Sequence, residues 1–154
     1  MTQPGGNKDS LEGGAAPLIL HASCVSLGAR GVLILGASGR GKSSLALQLM
    51  ALGARLVSDD RTALHRQGGR IMAEAPAAIR GLIEARGVGL LRAEPAGATE
   101  VVMVIDLDQE ESARLPPLRR TEVLGRSLPL LHAVPEPYFP AAILQMLAHG
   151  RRAP

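Results

Sequence analysis

The 154 residues are enough for one domain with a buried core. The chain has no 18-residue apolar run and no apolar signal segment, which leaves a cytoplasmic protein without membrane spans as the expectation. Seventeen basic residues face 14 acidic ones, the arginines are scattered, and Tyr138 and Phe139 are the only aromatics; nucleic-acid binding by a basic face or by base stacking is therefore not expected.

In chain order, residues 1–16 are polar and Gly-rich and read as a disordered leader, followed by one domain over 17–150. Pro17 to Val25 reads as a strand, interrupted by His21 and Ser23. Cys24 is the single cysteine, which excludes an internal disulfide and suggests a small buried apolar residue. A short turn at Gly28 to Gly31 joins that strand to Val32-Leu33-Ile34-Leu35, so the two are expected to pair antiparallel.

Next comes Gly36-Ala37-Ser38-Gly39-Arg40-Gly41-Lys42-Ser43, a full match to G-x-x-x-x-G-K-[ST]. The chain's own composition predicts only ~0.002 accidental occurrences, and Lys42 is one of two lysines, so coincidence is a poor explanation. The motif lies between an apolar β-branched run and a helix-spaced segment, Ser43 to Leu52, that stops at Gly53. Its backbone N–H groups, with Ser44 at the helix start, would surround phosphate oxygens. Lys42 would reach the β- and γ-phosphates of ATP and Ser43 would offer a hydroxyl to Mg²⁺.

Arg55-Leu56-Val57 reads as a strand that delivers Asp59-Asp60 to the same sheet edge as the phosphate loop. Adjacent carboxylates repel, which suits one of them to accept a proton. A polar solvated turn accounts for the same pair equally well. Thr62–His65 and Arg70–Ala73 flank Gln67-Gly68-Gly69 as a hairpin, and Ala75-Pro76 opens a short helix to about Leu82. Ile83 to Leu91 is a strand or loop; Glu84 and Arg86, two residues apart, either hold metal and phosphate or form a surface ion pair. Val101–Ile105 is a buried strand, and Asp106 after it fits a weak Walker B pattern. Pro116-Pro117 marks a loop, Val123–Val134 mixes strand and turn signals, and Tyr138–His149 reads as a terminal helix.

Four features in this order resemble the catalytic domain of bacterial HPr kinase/phosphorylase. They are His21-Ala22-Ser23, the loop Gly36 to Ser43, Leu56-Val57-Ser58-Asp59-Asp60, and Ile83-Glu84-Ala85-Arg86-Gly87-Val88-Gly89. Gly125-Arg126 is similar to a late Gly-Arg near the protein substrate. The chain looks like the short proteobacterial form without the amino-terminal domain. The resemblance implies an α/β fold, a P-loop, phosphoenolpyruvate-carboxykinase-like mixed sheet with flanking helices. It implies an ATP- and Mg²⁺-dependent kinase for a serine of an HPr-type phosphocarrier, with phosphorolysis as a second activity and homo-oligomers as a possible assembly. Asp59 would be the base, Asp60, Ser43 and Glu84 would hold metal, Arg86 would stabilise the moving phosphoryl group, and His21 would lie beside the acidic pair. Rival readings are a nucleotide sensor without phosphoryl transfer and a small-molecule P-loop kinase.

Overall fold

The computed structural model describes residues 17–152; the expected leader at 1–16 lies outside them. Eleven strands and two helices are described: β1 Leu18–Leu20, β2 Ala22–Leu27, β3 Arg30–Leu35, α1 Lys42–Ala51, β4 Arg55–Ser58, β5 Thr62–Gln67, β6 Arg70–Glu74, β7 Leu82–Ala85, β8 Gly89–Arg92, β9 Thr99–Glu110, β10 Arg119–Val123, β11 Arg126–Ala133 and α2 Phe139–His149. Nine strands form one mixed sheet in the order β1-β5-β6-β9-β3-β2-β4, with β11 and then β10 attached to β9. β7 and β8 form a separate hairpin.

The expected antiparallel partner of the P-loop strand is present: β2 pairs β3 from Ala22↔Leu35 to Leu27↔Arg30. On its other side β3 runs parallel to β9, with Leu35 opposite Asp106. β9 is long enough to serve two partners. Its start pairs antiparallel with β6 at Thr99 and Glu100, and its second half pairs parallel with β11.

The apolar side chains divide between the two faces of this sheet, as strand alternation requires. Val25, Val32, Ile34 and Ile105 pack under Leu45, Ala46 and Leu49 of α1 and Ile143 and Leu147 of α2. Cys24, Leu33, Val57, Leu64, Ile71 and Val104 fill the other side. Each fully buried Leu or Ile contributes roughly 1.5–3 kcal/mol, so α1 is held by packing rather than by its own propensity. Cys24 is fully buried, which pushes its thiol up to about 12.

Three expectations change. The strand from Pro17 to Val25 breaks at His21: β1 pairs with β5, whereas β2 pairs with β3 and β4. A polar residue at the break lets the chain change sheet neighbours. The helix after Pro76 is a single 3₁₀ turn, Ala77–Ile79, because β7 starts at Leu82 and leaves no room for more. Asp106 does not end its strand, since β9 continues to Glu110. Just past β9, Glu111 is gripped by Arg119 through two bonds of 2.9 Å. That guanidinium, with the amides of Ala113 and Ser112, holds its carboxyl down at about 2.

Candidate active site

Register brings the site together. Ala22↔Leu35 puts His21 beside the start of the phosphate loop, and Cys24↔Ser58 puts Asp59 and Asp60 beside Ser23. The loop turns through Gly39 (φ +86°) and Gly41 (φ +96°), left-handed conformations that a Cβ disfavours, and releases α1 at Lys42. Lys42 is buried, and its ammonium donates to the carbonyls of Gly36 (2.8 Å) and Ala37 (3.4 Å). The α1 N-terminus and loop amides make this end of the sheet electropositive, suited to phosphate.

The acidic pair has two different environments. Asp59 is buried, and its carboxylate accepts from Ser43 Oγ (2.6 Å), Ser23 Oγ (2.9 Å) and the Glu84 amide (3.1 Å). Asp60 turns the other way. It adopts φ +67°, a left-handed conformation that Asp tolerates better than most residues. Its half-exposed carboxylate lies 3.5 Å from His21 Nε2 and 4.0 Å from Lys42 Nζ. Ser23 bridges the pair, donating to Asp59 while accepting from the Asp60 amide at 3.0 Å. The Ser58 hydroxyl donates to the Arg61 carbonyl, and the Arg61 amide to the Asp59 carbonyl, which locks the turn.

The Glu84 amide bond joins β7 to this centre. Lys42, Ser43, Ser44, Glu84 and Arg86 then line one cleft of about 510 Å³, with Ser38, Gly39 and Gly41 of the loop. Among the described residues, no three His, Cys, Asp or Glu side chains cluster as a metal cage. A Mg²⁺ carried on nucleotide phosphates needs only one or two protein oxygens. The Ser43 hydroxyl with neighbouring carboxylates fits that requirement.

Arg126 is not brought to the site. β11 runs parallel to β9 and β3, and His132 rather than Arg126 lies level with Asp106 and Leu35. Six residues of strand separate Arg126 from that level, about 20 Å. It sits instead at the far end of the sheet, against Gly69 of the β5–β6 turn. The expectation for Arg126 was a place near the protein substrate, and strand direction puts it away from the phosphate cleft.

Residues 15–113 match the family profile described as HPr Serine kinase C-terminal domain. The chain belongs to that family. It is 44% identical over 73 residues to the HPr kinase/phosphorylase of Latilactobacillus sakei, covering 47% of this chain and 23% of that protein. It is 38% identical over 113 residues to the HPr kinase/phosphorylase of Alkaliphilus metalliredigens, covering 68% of this chain and 37% of that one. The chain thus spans about a quarter to a third of the length of such relatives. A solved structure of the Hpr(Ser) kinase/phosphatase from Coxiella burnetii superposes with a TM-score of 0.73 at 25% identity, over 85% of this chain and 94% of that one. The mixed α/β architecture, with its mixed sheet and two helices, is therefore that of an HPr serine kinase domain.

Two residues of this HPr serine kinase domain have roles that sequence reasoning missed. Ser23 looked like a polar interruption of a strand; its partners are 36 and 37 residues away. Asp108 stands two residues after the Asp106 that the Walker B pattern selects. Its carboxylate accepts from the Ala37 amide at 3.0 and 3.2 Å, whereas Asp106 accepts from the Asp108 amide at 2.9 Å. The repeated Asp in Asp106-Leu107-Asp108 was the available signal. Among the described residues no helix is long and apolar enough to cross a membrane.

Proposed function

We propose that this domain transfers the γ-phosphoryl group of ATP to a serine hydroxyl of an HPr-type phosphocarrier. The observation that carries the reading is the buried Asp59 carboxylate, which accepts from Ser43 of the phosphate loop, Ser23 of β2 and the Glu84 amide of β7 at one point, beside the cleft that Ser43, Glu84 and Arg86 line. A phosphate loop, an acidic pair and a carboxylate–guanidinium segment, the groups phosphoryl transfer uses, are thereby neighbours.

The roles follow from the surroundings. Lys42 exchanges the carbonyls of Gly36 and Ala37 for the β- and γ-phosphates, as the buried ammonium needs only a short swing to do. Asp59 has its oxygens engaged by three donors and serves to orient Ser43. Asp60 is half-exposed, with its carboxylate beside His21 and Lys42 and, among the described residues, no hydroxyl donating to it, and is the better placed proton acceptor. This assignment moves the base role, which the sequence expectation gave to Asp59, to Asp60. The serine oxygen forms a bond to the γ-phosphorus as the bond to the bridging oxygen of ADP breaks, and the hydroxyl proton passes to Asp60. Arg86 meets the charge spread over the transferring group. Mg²⁺, held by Ser43 with Glu84, would neutralise β- and γ-oxygens. The same groups support the reverse use of phosphoserine, with inorganic phosphate as acceptor and pyrophosphate as product. The reading carries a cytoplasmic location, where ATP is supplied.

Incubating the protein with labelled ATP, Mg²⁺ and purified HPr tests this. The expected result is label on one HPr serine. Asp60→Asn should lower the rate by about 10²–10⁴ with nucleotide affinity kept. A wild-type rate in that variant, with loss in Asp59→Asn instead, restores Asp59 as the base. ATP binding without labelled HPr would favour a sensor, and ATP turnover that HPr does not stimulate would favour a small-molecule kinase.

A further inference from the structure

The proposed nucleotide reading assigns the phosphate loop to its glycines, Lys42 and Ser43, yet the loop's entry limb is held from outside the motif. Gly36 and Ala37 form that limb. The Ala37 carbonyl has intraloop partners, the Arg40 amide at 3.1 Å and Lys42 Nζ at 3.4 Å. The Ala37 amide has a partner 71 residues away, the Asp108 carboxylate. Asp108 is itself fixed by its amide bond to Asp106, and Asp106 by its register with Leu35, the residue before the loop. Next to Asp108, Leu107 lies against the loop: a Cβ on Gly36 would stand 3.2 Å from its Cβ. The end of β9 is thus a fixed wall for the loop's first two residues.

A carboxylate beside a phosphate site opposes the ligand's charge unless it does something in return. Here its charge is partly met by Arg40 Nε at 3.4 Å. Its return is geometric. With the Ala37 amide held, the carbonyls of Gly36 and Ala37 stay at fixed positions, and these are the groups from which Lys42 departs to phosphate. We infer that Asp108 is a positioning residue for nucleotide binding, which sets the entry limb of the phosphate loop before the ligand arrives. This rests on the reading of the loop as the nucleotide site.

The contact predicts an ordering that a mere surface ion pair would not give. Asp108→Asn keeps an acceptor for the Ala37 amide and loses the charge. Asp108→Ala loses both. One lost hydrogen bond to a charged group corresponds to about a tenfold change in affinity. The experiment measures the dissociation constant of a fluorescent ATP analogue and the kcat and KM for ATP in HPr phosphorylation, with amide hydrogen exchange at Ala37. Expected for Asp108→Ala are a five- to tenfold weaker dissociation constant and higher KM, a kcat within about twofold, and faster exchange at Ala37. Asp108→Asn should stay within about twofold of wild type in affinity. Equal affinity in Asp108→Ala and wild type overturns the proposal, as does an equal loss in both variants, which would make charge rather than the held amide responsible. A wild-type protein that binds no nucleotide overturns the functional reading along with it, so the two failures are distinguishable.

Discussion

Replacing Ser23 by Ala removes one oxygen from the centre of the site without adding volume. Ser23 is fully buried, and its hydroxyl has two jobs: it donates to Asp59 at 2.9 Å and accepts from the Asp60 amide at 3.0 Å. A hydrogen bond to a charged group is worth roughly 1.5–3 kcal/mol. Asp60 is exposed, so water replaces part of the second bond. A net loss of about 2 kcal/mol follows, and at 2–4 °C per kcal/mol for a chain of this size the Tm falls by about 4–8 °C. Asp59 keeps Ser43 and the Glu84 amide, so ATP affinity should change little. Asp60 loses its backbone anchor, and phosphoryl transfer should drop by on the order of tenfold, less than the hundredfold that a full ångström of misplacement costs. Circular-dichroism melting, nucleotide titration and the labelled-HPr rate read the three effects. Ser26→Ala, on the same strand but away from the pair, is the control. A Tm within 1 °C of wild type together with an unchanged rate would refute the bridging role.

Glu111→Gln tests the clamp beyond β9. Its folded carboxyl sits at about 2, below the ordinary value of 4.5, chiefly through the Arg119 bond. The stability it contributes is present above the unfolded value and is lost as pH falls through the folded one. Urea midpoints of wild type and Glu111→Gln should therefore differ at pH 6 and converge as pH drops from about 4.5 towards 2; a gap independent of pH would argue against the ion pair. Gly31→Ala places a Cβ 2.7 Å from the Glu100 carbonyl oxygen, on the parallel β3–β9 seam. The clash should cost about 1–3 kcal/mol in denaturant unfolding, and an unshifted midpoint would mean that this seam yields freely.

Much of this was readable in the sequence because the signals were local. The phosphate loop needs its glycines and its strand and helix in one contiguous stretch. The β5–β6 hairpin carries its own turn, Gly68-Gly69. The proximity of Asp59-Asp60 to the loop followed from one short helix and one returning strand. What was not legible was set by partners distant in sequence. Whether His21 continues a strand depends on β5, which starts 41 positions on, and where Arg126 lies depends on the direction in which β11 joins β9. The different fates of Asp59 and Asp60 depend on one backbone angle, φ +67°, and on Ser23, none of which composition or periodicity encodes.

The parallel seam between β3 and β9 also constrains the order of folding. Gly31 and its partner across the seam, Val101, are 70 positions apart, yet the loop that follows β3 is supported by the far end of β9. During synthesis the phosphate loop leaves the ribosome long before its wall does. Closing so long a segment costs entropy that only the completed sheet repays. A nascent chain stopped before residue 99 therefore lacks the strand against which the loop takes its shape. Although encoded in the first third of the chain, the shape of this loop is a late acquisition.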